Sequence, residues 1–430
     1  MKTTTSISER IRARLAMSLY LRDVVWQATG NVAAQGLGIA AMPIITRLYQ
    51  PSDFATLNLF SQTVAGLAVL LTLRFEHLVM LPRSQRESES ILRLVFGLGA
   101  IHVLWMTPVL AVLPSKFPWI RSQGAIADWL WLAPPSAWVL SLSVGLQNAV
   151  QRKGDFRNSA ISEFSGRCAY VACTVVGALA LPNIFGLMMS TFVTAGAKLV
   201  WLIRVGGGFL RVALTRNGSS ISKSVRRIAI STTISNLISL FTGLAPMIFI
   251  SEHYGSSSLG QYGLVVSTLY LPTTLVGQAI GQVYYQRACS LKGEGKHISG
   301  LLVETSFHLV KIGVPLYAMI ALAAPSLYPF VFGQKWIIAG EMARYLTIAA
   351  LAGFISTPLD RTSIVADAWW YLSAWHTLRA MMTVACLTLS DIYGLPLEYC
   401  VMLLSVQHVL AYSIDWVASY MFATRLHRGS

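Results

Sequence analysis

Residues 184–250 fall into three stretches: IFGLMMSTFVTAGAKLVWLIR (184–204), VGGGFLRVALTRNGSSISKSVRR (205–227) and IAISTTISNLISLFTGLAPMIFI (228–250). The outer two are apolar and of spanning length, because about 20 helical residues cross a hydrocarbon core of about 30 Å. A lone segment inside that core must satisfy its own backbone polar groups, so each is expected to be an α-helix. The middle stretch is rich in glycine, serine and arginine and reads as a linker between two sets of helices.

Similar apolar runs lie on both sides. The expected spans are 23–45, 54–80, 92–113, 127–150, 158–180, 184–204, 228–250, 259–285, 301–332, 338–359, 364–387 and 399–423. The ninth contains Pro315 and Pro325 and is expected to tilt or break. The 430 residues are 54% hydrophobic and 12% charged, with a mean hydropathy of +0.58, against about 25% charged in a soluble domain. No polar stretch is long enough to fold as a separate domain of typical size. The expected architecture is an all-α polytopic membrane protein of about 12 transmembrane helices in two six-helix lobes. Its parts are an N-terminal segment (1–22), a first lobe (23–204), the linker (205–227), a second lobe (228–423) and a tail (424–430).

The net charge of +15 and pI near 9.8 would point a soluble protein towards nucleic acid. Here the basic residues sit in the short connections, so no nucleic-acid partner is expected. With the N-terminus inside, the inner connections hold Arg83, Arg86, Arg152, Lys153, Arg157, Arg211, Arg216, Lys223, Arg226, Arg227, Arg287, Lys292 and Lys296, and the tail holds Arg425 and Arg428. The outer connections hold little beyond Arg47, Lys116, Arg121 and Lys335. This bias places both termini in the cytoplasm. The N-terminal stretch is basic (Lys2, Arg10, Arg12, Arg14), and the first apolar run is full length with no cleavage site, so it reads as a span. The five cysteines form no C-x-x-C pair and read as small apolar residues.

An offset of 205 residues brings Asn31 onto Asn236, Ile45 onto Ile250, Tyr49 onto Tyr254 and Ser52 onto Ser257. With six spans per half, such a repeat is parallel. Polar stripes at helical spacing mark several spans: Gln27, Asn31 and Gln35; Glu163, Arg167, Tyr170 and Thr174; Thr232, Asn236 and Ser239; Thr274, Gln278 and Gln282; Glu304, His308 and Lys311. Interhelical hydrogen bonds account for any single stripe at about 1 kcal/mol or less per contact. Five stripes over both halves favour a polar lumen. Charges within the spans carry more weight, since each costs roughly 2.5–3.5 kcal/mol at a helix centre. They are Arg74, Arg167, Lys198, Lys311, Arg344 and Arg379, with Glu76, Glu163, Glu341, Asp367 and Asp415. Glu163 can pair with Arg167, and Glu341 with Arg344, within one helix. Arg74, beside Glu76, can snorkel to the inner surface. Lys198, Lys311 and Arg379 have no partner on their own helix and are the prime candidates for a cationic lumen, which implies an anionic substrate. Asp367, Asp415 and His308 are candidates for ion coupling; a helix-end hydrogen bond is the plainer role for His308.

Five stretches resemble polysaccharide exporters of the multidrug/oligosaccharidyl-lipid/polysaccharide (MOP) superfamily, the Wzx-type flippases: ITRLYQPSDF (45–54), LTLRFEHLVMLPRSQRES (71–88), LQNAVQRKGDFRNSAIS (146–162), GSSSLGQYGLVVSTLYLPTTLVGQAIGQVYYQRA (255–288) and VFGQKWIIAGEMARYL (331–346). They occur in the family's order and cover nearly the whole chain. Ala55 departs from it, standing where the family has glycine after Phe54. The resemblance implies two six-helix lobes forming a V. It also implies transfer of undecaprenyl-pyrophosphate-linked oligosaccharides across a bacterial inner membrane by alternating access, for O-antigen, capsule or exopolysaccharide. Implied partners are that substrate, membrane lipids, an H⁺ or Na⁺ gradient and polymerase or chain-length machinery. The motifs do not identify ligands. From charge, amide chemistry and helical face, Lys198, Lys311 and Arg379 are expected to hold the pyrophosphate or acidic sugars. Arg74, Arg167 and Arg344 are further cations of such a lumen. Asn31, Gln35, Asn236, Gln278 and Gln282 are expected to contact sugar hydroxyls.

Two rivals remain. A cation-coupled drug or metabolite exporter of the same superfamily needs acidic lumen residues, for which Asp367 and Asp415 qualify; growth with cationic dyes discriminates. A membrane polymerase or ligase needs a sizeable outer loop with catalytic groups. The longest outer connections, 114–126 and 388–398, are short, and no nucleophile, metal cluster or paired carboxylates stand out.

Overall fold

The computed structural model describes residues 7–82, 84–116, 124–180, 184–215 and 220–425. Lys2, Arg83, Arg121, Arg216, Arg428 and the tail beyond 425 lie outside the described residues, as do the side chains of Arg10, Arg12, Arg14, Gln278 and Arg425. The helices are α1 (Ile7–Leu48), α2 (Pro51–Thr72), α3 (Gln85–Lys116), α4 (Ala133–Arg152), α5 (Phe156–Ala180), α6 (Phe185–Thr215), α7 (Lys223–Leu269), α8 (Gln278–Gly293), α9 (Ser299–Phe332), α10 (Ile337–Ser356), α11 (Trp369–Ile392) and α12 (Leu397–Arg425). No strand occurs among the described residues. Gly255, at φ 86°, bends α7 into two arms, 223–254 and 256–269. The expected spans therefore each find a helix or an arm.

Eight stretches are long and apolar enough to cross a membrane. One of them, 223–293, runs through two expected crossings. The helices that fall short of that apolarity are α1, α5 and α11, which carry Asn31, Glu163 with Arg167, and Arg379. Large apolar side chains such as Leu104, Leu179, Leu322 and Phe330 are strongly exposed, as a lipid-facing surface requires and a water-facing one does not tolerate. The protein is a multi-span membrane protein.

Three boundaries differ from the sequence expectation, two through tertiary contact and one through a proline. The second span was expected to run to residue 80, but α2 ends at Thr72. Leu73 and Arg74 take φ of 48° and 59°, and a 3₁₀ turn, Phe75–Leu78, follows. Asn148 and Arg152 of α4 donate to the Glu76 and Met80 carbonyls at 2.9 Å each, replacing helical bonds. The glycine-rich linker is largely helical: α6 continues through Gly206, Gly207 and Gly208 to Thr215. Gly206 packs on Val150 and Leu146, and Phe209 is buried, so packing overrides the poor propensity of glycine. The eighth span is interrupted by a π turn, Thr273–Gly277, directly after Pro272, whose missing N–H removes one helical bond. By contrast α9 stays helical over 34 residues through Pro315, Pro325 and Pro329.

The chain divides into two compact units, Met1–Ile45 with Thr63–Thr233, and Thr46–Gln62 with Ile234–Ser430. In the first, α5 lies along α6, and α4 packs on α6 and α3. Its core gathers Phe75, Ile91, Leu92, Leu146, Leu202 and Phe209. In the second, α9 lies along α10, which packs on α12.

The second unit also takes in the turn that ends α1 and the start of α2. Trp336, fully buried, donates its indole N–H to the Thr46 carbonyl at 3.0 Å and meets Phe54 edge-on at 5.1 Å. Lys335 Nζ donates to the carbonyls of Arg47 (3.2 Å) and Tyr49 (2.5 Å), capping the orphan acceptors at the helix end. Gln261 bridges the second arm of α7 to the same turn, donating to the Lys335 carbonyl and accepting from the Ala339 N–H. Gly260 lies against the Pro51 carbonyl. The stretches ITRLYQPSDF, GSSSLGQYG and VFGQKWIIAG thus meet at one place. The turns at Gln50 and Gly255 also fall at the 205-residue offset read from the sequence.

Candidate functional site

In the first unit a polar cluster joins four helices. On α1, Gln27 donates to Asn31 Oδ1 at 3.2 Å. On α4, Gln151 donates to Gln27 Oε1 (3.4 Å) and to Ser159 Oγ (2.8 Å). Gln147, one turn earlier, donates to Ser159 Oγ (3.0 Å) and Glu163 Oε1 (3.1 Å). Lys198 Nζ of α6 lies 2.6 Å from Glu163 Oε1. The four-residue spacings on α1, α4 and α5 set each pair on one helical face. Small residues bring the helices close: Gly30 faces Ala160, and Gly166 lies under the Lys198 stem, where a Cβ would meet it and the Thr194 carbonyl.

This arrangement corrects the expected pairing. Lys198 is not partnerless, and Glu163 pairs with it across helices instead of with Arg167 along its own. The Arg167 guanidinium lies against Gly38 and 5.6 Å from the Tyr170 ring centroid. The cluster thus holds one cation paired with one carboxylate, with amides and a hydroxyl around them, and Arg167 lies one turn further along α5. The ion pair is only partly screened, at 13% and 28% side-chain exposure. Replacing Lys198 and Glu163 by alanine singly and together is expected to give a coupling energy of about 1–3 kcal/mol in thermal unfolding of purified protein. Additive effects would show that the two do not interact.

The second unit holds its own cluster. Arg379 on α11 lies over the rings of Trp375 (5.7 Å) and Tyr412 (5.6 Å), within cation–π range. Its Nε is buried with no hydrogen-bond partner. Buried Asp415 on α12 accepts from Ser356 Oγ (2.7 Å) and from the Tyr371 hydroxyl (2.8 Å). Asp360, in the turn before α11, interacts with both Asp415 and Arg379. Tyr371, Trp375 and Arg379 stand four apart on one face of α11. Gly353 leaves room for the Tyr412 ring.

The remaining sequence candidates are not gathered into these clusters. Gln35 is half-buried, one turn beyond Asn31, and Asn236 is half-buried on α7. Gln282 is exposed on α8. Lys311 is exposed on α9 and makes no ion pair among the described residues. Arg344 is exposed and does not form the expected pair with Glu341. Arg74 sits on the left-handed backbone that ends α2, not within a helix. Asp367, expected inside the eleventh span, precedes α11 and binds Lys292 at 2.5 Å, tying two connections together. His308 Nδ1 meets the Glu304 carbonyl of its own helix at 2.8 Å, and both residues line an open cleft of about 380 Å³ with Arg287.

The sequence reading missed Gln147, Gln151, Asp360, Tyr371 and Tyr412. The four-residue spacing of Gln147 and Gln151, at the end of the fourth expected span, was a usable signal. Among the described residues no group of His, Cys, Asp and Glu is placed to hold a metal ion.

Two helical units with charged and amide groups among their helices have the fold of MOP superfamily transporters. The structure matches a MOP superfamily transporter from Pyrococcus furiosus with a TM-score of 0.67, covering 94% of this chain and 96% of that one at 14% identity. It matches a variant of the MATE transporter VcmN of Vibrio cholerae with a TM-score of 0.65, covering 97% and 99% at 14% identity. In sequence it is similar to the lipopolysaccharide biosynthesis protein WzxC of Escherichia coli K12, 18% identical over 336 residues, 78% of this chain and 67% of that protein. Residues 44–340 match the family of polysaccharide biosynthesis proteins, and the chain belongs to that family.

Proposed function

We propose that this protein carries undecaprenyl-pyrophosphate-linked oligosaccharides from the cytoplasmic to the periplasmic leaflet of a bacterial inner membrane by alternating access, supplying O-antigen, capsule or exopolysaccharide assembly. Both termini lie in the cytoplasm, and the lobes span 23–204 and 228–423. The observation that carries this reading is the cluster in the first unit. Lys198 and Arg167 supply charge for a pyrophosphate, and Gln27, Asn31, Gln147, Gln151 and Ser159 supply the amides and hydroxyl that recognise sugars. Fixed groups of this kind replace the hydration that a sugar pyrophosphate loses on leaving water, while its lipid tail stays in the bilayer. In the second unit Arg379, with its unpartnered Nε, is the cation offered to the substrate. An ion gradient drives the cycle, and the polymerase and chain-length machinery receive the product.

Complementation tests this. Deleting the gene is expected to abolish polymerised surface polysaccharide on gels and to trap lipid-linked units on the cytoplasmic face. Wild type restores polymer; Lys198→Ala and Arg379→Ala, at equal membrane abundance, restore at most about a tenth, the loss of one charge-assisted contact of about 1.4 kcal/mol or more. Normal polymer in the deletion strain, with no second exporter present, would sink the proposal.

A further inference from the structure

Where α8 and α9 approach their connection, residues 294–298, they enclose an open cleft of about 380 Å³, a volume within the about 300–1,000 Å³ of small-molecule sites. Arg287 lines it from α8, and Glu304, Thr305 and His308 line it from α9. Arg287 and Glu304 are both exposed, and neither makes an ion pair among the described residues, although they share the cleft. The nearby lysines are engaged, Lys292 with Asp367 and Lys296 with Glu294 at 2.8 Å. The Thr305 hydroxyl donates to the Leu301 carbonyl, and the Tyr284 hydroxyl bonds Thr362. His308 adds an acceptor. Its Nδ1 meets the Glu304 carbonyl at 2.8 Å. A carbonyl only accepts, so Nδ1 carries the hydrogen, and Nε2 of the neutral ring is an acceptor. The cleft thus presents a guanidinium on one helix and two acceptors, four residues apart on one helical face, on the other.

Depth and shape narrow the ligand. The 34 residues of α9 run about 51 Å at about 1.5 Å per residue, against a hydrocarbon core of about 30 Å. Shared equally, the excess leaves about 10 Å beyond the core at each end. Glu304 lies five residues from the start of α9 and Arg287 six from the end of α8, so both sit about 8–9 Å from the helix ends, at the level of lipid headgroups. Glu304 also borders a second cleft, of about 550 Å³, with Val303, Phe307 and Tyr420. Exposed apolar side chains therefore run into the core on both sides of it, Val276 and Val283 on one and Val303 and Phe307 on the other.

We propose that this end of the second unit binds a two-chain lipid whose phosphodiester carries a primary amine, phosphatidylethanolamine. Arg287 takes the phosphate as a charge-assisted donor. Glu304 and His308 Nε2 accept from the ammonium, and one acyl chain lies along each cleft. The same groups reject other headgroups. Phosphatidylglycerol brings no cation to Glu304, and the quaternary ammonium of phosphatidylcholine has no N–H to give. The site shares no residue with either polar cluster and does not rest on the substrate reading. In the orientation proposed above it faces the cytoplasmic leaflet.

Native mass spectrometry of the delipidated full chain, titrated with lipids of identical acyl chains, tests this. Wild type is expected to bind phosphatidylethanolamine at least about tenfold more tightly than phosphatidylglycerol or phosphatidylcholine, a difference of one charge-assisted hydrogen bond. Affinity should fall stepwise through the mono- and dimethylated amines as N–H donors are lost. Glu304→Gln is expected to lose the preference over phosphatidylglycerol, and Arg287→Ala to weaken binding of both lipids. Equal binding of the three lipids by wild type, or phosphatidylethanolamine affinity unchanged in both variants, would overturn the proposal. So would displacement of phosphatidylethanolamine by a single-chain polyprenyl pyrophosphate, which would assign the cleft to the transported lipid. The methylation series uses wild type alone, so it decides even where a variant is not recovered folded.

Discussion

Gly260→Ala is expected to lower the thermal stability of the purified protein more than most core substitutions and to reduce its abundance in membranes. Gly260 sits on the second arm of α7, where a Cβ would overlap the carbonyl oxygen, carbonyl carbon and Cα of Pro51. Overpacking typically costs about 1–3 kcal/mol when side chains can adjust. Here the obstacle is backbone at the start of α2, with no rotamer to change, so the effect is expected at or beyond the top of that range. Gly263→Ala is the matched control. Its Cβ would meet the Asn58 side chain first, whose buried Nδ2 has no hydrogen-bond partner to lose by swinging away. A melting curve of Gly260→Ala that overlays wild type, or one no worse than Gly263→Ala, would mean that α7 and Pro51 do not pack as described.

Trp336→Ala is expected to destabilise by roughly 3–5 kcal/mol, the range for removing a fully buried aromatic side chain. The ring is enclosed, lies edge-on to Phe54, and gives its N–H to the Thr46 carbonyl. Trp336→Phe separates the contributions. It keeps most of the apolar contact but loses the hydrogen bond to the Thr46 carbonyl, a loss of about 0.5–1.5 kcal/mol. Unfolding in detergent should therefore rank wild type, Trp336→Phe and Trp336→Ala in that order. Equal melting of the two variants would show that the hydrogen bond contributes the whole effect.

These contacts join stretches more than two hundred residues apart, and nothing in the sequence pairs them. What could be read beforehand were local signals. Apolar runs of spanning length announce helices because a bilayer leaves the backbone no other partner. Asn31, Glu163, Lys198, Arg379 and Asp415 stood out because polar groups at membrane depth need a reason. Their partners did not. Within-helix spacing pointed Glu163 to Arg167, and the fold gave it Lys198 instead. Asp367 looked like an intramembrane acid, and it ties Lys292 to the turn before α11. The three glycines after Val205 looked like a loop, but they are helical, with Gly206 packed on Val150 and Leu146.

The sequence by itself determined that the chain is a bundle of membrane helices, about how many there are, and which residues carry charge among them. Hydrophobic run length and charge placement act residue by residue and survive without any partner. Only the tertiary structure decided which cation meets which carboxylate, where α2 stops, and that α1, α7 and the Trp336 turn share one buried contact. Each of these depends on a distance across helices. A neighbouring helix offers a hydrogen bond or a close glycine face wherever the fold brings it, and local periodicity carries no record of that.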